Sequence, residues 1–87
     1  MLDKVKLSLR VSDDYPEDEI TGLIESAKLD LKAAGVKAVV DDALIERAII
    51  TYCKAHFGYD NPEADRFDDA YVKMKQHLQL YGDYRET

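Results

Sequence analysis

The sequence predicts an all-α fold, a compact bundle of about four helices forming a single domain over 1–87, with a core over 2–81 and a tail over 82–87. Three observations carry this. Apolar residues recur at spacings of three and four in four separate segments. Prolines, glycines and short acidic side chains fall between those segments, where helix starts and stops require them. The one β-prone run, Val36-Lys37-Ala38-Val39-Val40, is too short to make a sheet of its own.

Leu2, Val5 and Leu9 share one face of a first helix of about two turns. Ser12-Asp13-Asp14-Tyr15-Pro16 ends it, because proline disfavours the α conformation at Tyr15 and suits the first position of the next helix. Glu17, Asp18 and Glu19 follow, where a helix N-terminus attracts negative charge. The second helix carries Ile20, Leu23, Ile24, Ala27, Leu31 and Ala34 as its apolar stripe, and Gly35 supplies a left-handed stop. Leu29 falls on the opposite, polar side. A single exposed leucine is ordinary there, and a subunit contact is the sharper alternative.

Val36 to Val40 reads as an extended connector, and Asp41 or Asp42 caps the third helix. That helix is apolar nearly all round, with only Arg47, Thr51 and Lys54 as a polar stripe. Such a helix is central to the core or covered by a second subunit. Gly58 is its expected stop, and Asn61-Pro62 restarts the chain. Ala64, Phe67, Tyr71, Met74 and Leu78 form the stripe of the fourth helix. Its early aspartates (Asp65, Asp68, Asp69) and late cations (Lys73, Lys75, His77) match the helix dipole, and Asp69 to Lys73 is a favourable i,i+4 pair. Gly82 is expected to close it.

The chain has 87 residues, enough for one small domain that gains from a partner surface. Hydrophobic residues at 46% and charged residues at 34% fit a folded protein and exclude a disordered one. A net charge of −6 argues against broad nucleic-acid binding, which needs a basic face. The single Cys53 excludes an internal disulfide framework. No apolar run reaches transmembrane length and Met1-Leu2-Asp3-Lys4 lacks a signal-peptide core, so the expected setting is cytosolic, without a membrane.

Candidate chemistry is sparse. Cys53 and His56 lie three apart on a helix, but His77 is the only other histidine, and no further cysteine completes a tetrahedral zinc site. A catalytic thiol needs an exposed, electropositive setting, and Cys53 sits on the most apolar helix. A buried structural cysteine beside a surface or capping histidine is the expectation. The acidic run Asp13, Asp14, Glu17, Asp18 and Glu19 lacks the alternating ligands and mid-loop glycine of a calcium loop, and helix-start electrostatics accounts for it. The sequence holds no phosphate loop, nucleophile elbow or HExxH. The expectation is a protein that is not an enzyme and takes no cofactor or metal.

Lys4, Lys6 and Arg10 make the first helix locally basic. A solvated face explains them, and contact with an acidic partner, such as the acidic side of a neighbouring copy, is the sharper reading. A helix-turn-helix is disfavoured, because Gly35 to Asp41 is longer than the usual tight turn and the third helix offers only Arg47 and Lys54 to DNA.

Taken in order, the pieces of this chain resemble a known family. Leu2-x-x-Val5-Lys6-x-x-Leu9-Arg10-Val11 is followed by Asp18-x-Ile20-x-x-Leu23-Ile24-x-x-Ala27. Asp42-x-Leu44-Ile45-x-x-Ala48-Ile49 then leads into Tyr52-x-Lys54-Ala55-His56-Phe57-Gly58 and Asn61-Pro62-x-Ala64-x-Arg66-Phe67, with Tyr71 beyond. This combination, from Leu2 to about Tyr84, resembles the small head–tail connector proteins of long-tailed bacteriophages, often described as DNA-packaging proteins. The resemblance implies an adaptor that docks as a ring beneath the portal after DNA is packaged and offers a platform to a neck or tail protein. It implies a dodecameric ring on the portal and a monomer when free, with DNA passing through the channel without specific binding. Its setting would be the host cytoplasm during assembly and the virion neck afterwards. In the family the C-terminal part tends to face the portal, which would place Tyr81, Tyr84 and Arg85 near that contact. A small helical regulatory or DNA-binding protein is the alternative.

Overall fold

The computed structural model describes residues 2–11, 15–37, 42–57 and 62–80. Within them lie four helices: α1 (Leu2–Leu9), α2 (Glu17–Ala33), α3 (Ala43–His56) and α4 (Ala64–Leu80). No strand runs through the described residues. The all-α expectation is met.

The core forms where the predicted stripes meet. Val5, Ile20, Ile24, Ala27, Leu31, Ile45, Ala48, Ile49, Cys53, Tyr71 and Leu78 are buried together with Val36 from the connector. The apolar α3 packs against all three other helices, which settles its wide apolar surface in favour of a central place in the core. It runs antiparallel to both α2 and α4. Tyr15, just before α2, meets Phe57 at the end of α3, with ring centroids 5.3 Å apart. Leu44 at the start of α3 lies beside Met74 and Leu78 near the end of α4.

Helix ends follow the expected chemistry with small shifts. Pro16 takes the cap position rather than the first helical one, because its ψ of 115° is extended while its ring fixes φ at −58°. Asp42, not Asp41, caps α3, its Oδ1 accepting from Leu44 N–H at 2.8 Å and Ile45 N–H at 3.3 Å. At the start of α4, Pro62 and Glu63 form a turn, and Phe67 N–H donates to the Glu63 carbonyl at 3.0 Å. The α3 helix is over by Phe57, whose backbone is extended. Gly58 and Gly82, the expected stops of α3 and α4, lie outside the described residues, as does Asn61.

Two helices end in the same hydrogen-bonded pattern with different residues. After α2, Gly35 adopts φ +80°, its N–H donating to Lys32 O and the Val36 N–H to Leu31 O, both at 2.9 Å. Val36 then buries against Leu31 in the core. After α1, Arg10 takes the left-handed place at φ +57°. Its N–H donates to Leu7 O at 3.2 Å, and Val11 N–H donates to Lys6 O at 3.4 Å. Val11 packs on the core as Val36 does.

α4 is tied to α2 by long polar side chains. Tyr71 donates its hydroxyl to Asp30 at 2.5 Å, and Lys75 Nζ donates to the same Asp30 oxygen at 3.0 Å. Gln79 Nε2 donates to the Ala34 carbonyl at 2.9 Å, satisfying an acceptor at the end of α2. Tyr52 meets Tyr71 edge-on, with centroids 5.1 Å apart. The expected Asp69–Lys73 pair is absent from the ion pairs among the described residues. The cation that α4 does engage there is Lys75, which reaches across to Asp30.

Candidate functional site

The chemical groups of the chain are arranged for structure. Cys53 is fully buried and its thiol is pushed up to about 11 by that burial, so it is protonated and unreactive at neutral pH. His56 is exposed and stacks on Tyr52, with centroids 4.2 Å apart. The buried cysteine and surface histidine are as the sequence implies. In the acidic run, Glu17 pairs with Lys6 at 3.3 Å, and Glu19 accepts the Tyr15 hydroxyl at 2.8 Å. Asp13 and Asp14 lie outside the described residues. Among the described residues no group of three or more His, Cys, Asp or Glu side chains is placed to hold a metal.

Asp30 is the most perturbed carboxylate. Burial pushes it up, but hydrogen bonds from Tyr71 and Lys75, with the Lys75 charge and a smaller effect of His56, outweigh that and hold it below the ordinary aspartate range. Tyr71 is driven well above the usual tyrosine range by burial and by donating to that carboxylate. Tyr52 rises as well, through burial and then the Asp30 charge. These three groups join α2, α3 and α4.

The surface is more informative. Lys4 leans onto α3, with Nζ 3.0 Å from Glu46 Oε1, and Lys6 is largely covered where it pairs with Glu17. Two of the three candidate cations of α1 are therefore partly spent on intramolecular pairs. Arg10 is exposed and its guanidinium makes no ion pair among the described residues. Lys6 and Arg10 line an open recess of about 340 Å³ together with Asp3, Leu7 and Val11. Leu7, at 81% exposure, is an interface candidate that the stripe analysis passes over. Its signal is its register: two residues past Val5 it lies about 200° round the helix, opposite the buried stripe.

Leu29 is 67% exposed on α2, as its polar-side position predicts, and is not among the residues that line the α1 recess. Leu80 is 81% exposed at the last described turn of α4. Tyr81, Tyr84 and Arg85 lie outside the described residues. No helix among the described residues is long and apolar enough to cross a membrane.

No curated protein and no solved structure matches the chain. One family model does, described as phage connector protein, over residues 1–85. That span takes in all four helices and the ordered motifs from Leu2 to Tyr71, where no single helix pattern would be distinctive. A family of structural phage proteins also accords with a buried, protonated cysteine and with polar groups devoted to joining helices. The chain belongs to the phage connector protein family.

Proposed function

We propose that the protein is a head–tail adaptor that docks as a ring beneath the portal after DNA packaging and provides the platform for neck or tail attachment. The observation that carries this reading is the family match across 1–85, which spans every described element. Exposed leucines on α1, α2 and α4 support an assembly protein, since each leaves apolar area for a partner to cover. The family match does not favour the regulatory or DNA-binding alternative, and the ion pairs of Lys4 and Lys6 weaken it further by leaving few free cations on α1.

In this reading the chain acts through contacts and does no chemistry. It assembles in the host cytoplasm and resides in the virion neck, bound to the portal on one side and to a neck or tail protein on the other. Tyr81, Tyr84 and Arg85 of the C-terminal segment face the portal. The net charge of −6 suits a conduit through which DNA slides without sticking. Immunogold labelling and mass spectrometry of purified tailed particles test the assignment. The expected result is label confined to the head–tail junction; particles lacking the chain would contradict it.

A further inference from the structure

We propose that the recess between the first half of α2 and the end of α3 is a binding site for an arginine side chain presented by a partner protein. The existence of a protein partner rests on the adaptor reading; the arginine rests on the chemistry of the recess.

The recess holds about 440 Å³, a size in the range of small-ligand pockets. Two half-buried rings form part of its wall, Tyr15 and Phe57, with centroids 5.3 Å apart and planes tilted by 49°. His56 adds a third ring, held by its stacking on Tyr52. Glu19 is the one acid of the described lining, which holds no lysine or arginine. The Tyr15 hydroxyl donates to Glu19 Oε2 at 2.8 Å, which fixes the carboxylate beside the rings and leaves Oε1 for another donor. Glu19 makes no ion pair among the described residues.

These groups together select a planar cation. Aromatic faces attract cations, and a guanidinium also stacks on them. A carboxylate bonds a guanidinium more strongly than a neutral donor. α3 ends at the recess, and the C-terminal end of a helix carries partial negative charge. The positive end of α2 is already met by Glu17 and Asp18 in its first turn. Lys6, which reaches that turn, is paired with Glu17 and does not line the recess.

Gly22 indicates that the occupant comes from outside the chain. Glycine is disfavoured inside a helix, and no atom lies within 4 Å of the place its Cβ would take, so internal packing does not require it. It lines the recess, where the missing side chain leaves room for a partner to come close. A second copy is the poorer occupant, because copies of net charge −6 repel one another while a basic segment is attracted.

The test titrates the full, isotope-labelled chain with the peptide acetyl-Gly-Arg-Gly-amide at millimolar concentration and low salt, following backbone amides by NMR. Saturable shifts should centre on Glu19, Gly22, Ser26 and Phe57. Lysine in place of the peptide's arginine should weaken binding about threefold, and uncharged citrulline should abolish it. Glu19→Gln should weaken binding about fivefold. Gly22→Gln, which fills the recess with a better helix former, should weaken it as much while raising the thermal midpoint. Lost binding beside gained stability separates the recess from a folding defect. An arginine peptide without saturable shifts at these amides, equal binding of the citrulline peptide, or parent-like binding by both variants would overturn the site. Shifts of the same amides on concentrating the chain without peptide would give the recess to a second copy and overturn the assignment to a partner protein. Each of these failures leaves the adaptor reading standing, since cosedimentation with the portal decides that separately.

Discussion

Two residues set the local energetics of the fold. Asp30 accepts from Tyr71 and Lys75 on one oxygen, and charge-assisted bonds of this kind are stronger than neutral ones. Its carboxyl is held below the ordinary aspartate range, so the folded state binds its proton less readily than the unfolded chain does. The stabilisation is therefore complete above the unfolded value and is lost as pH falls through the lower folded one. The urea midpoint of the parent should fall on acidification below about pH 4, and Asp30→Asn should show a shallower fall over that window. Parallel curves would mean that Asp30 contributes little to acid sensitivity. The link is not legible from periodicity, because Tyr71 reads only as part of the α4 stripe and its partner Asp30, at the edge of the α2 stripe, is 41 positions away. Arg10 is the second case. Arg10→Gly should raise stability by about 1 kcal/mol in urea denaturation, by relieving the left-handed backbone. A loss of stability would show that the arginine side chain contributes to the monomer.

At the scale of elements, most of what the structure shows was readable. The stripes of α2 and α4 put Ile20, Ile24, Ala27, Leu31, Tyr71 and Leu78 into the core as their spacing requires. Gly35 was readable as a stop because glycine at the end of an apolar stripe has a specific backbone use. The identical stop at Arg10 was not, because arginine carries no such signal. Start positions moved by one or two residues at Pro16 and Pro62, since a proline fixes φ and leaves ψ to its surroundings. The α1 interface candidates were legible only in part: Lys4 and Lys6 stood out by charge, yet their partners Glu46 and Glu17 come from other segments. Two substitutions examine the helices directly. Gly22 lies inside α2 with no atom within 4 Å of the place a Cβ would take, so Gly22→Ala should stabilise by about 0.5–1 kcal/mol. Asp42→Ala removes the side-chain acceptor at the start of α3 and should cost about 1 kcal/mol. Thermal melts followed by circular dichroism read both, and equal midpoints would contradict the helix-end account.

The whole molecule is a small bundle organised around α3, with its polar side chains spent on joining helices and several leucines left outward. Such a chain gains most by covering that apolar surface with a partner, and its net charge of −6 sets free copies to repel one another. The family match places it among phage connectors. The most direct measurement is cosedimentation of the purified chain with its cognate portal, set beside a chain lacking Tyr81 to Thr87. Saturable, stoichiometric pelleting of the full chain, lost on removal of that segment, is the predicted result. A full chain that stays in the supernatant at every portal concentration would contradict the account.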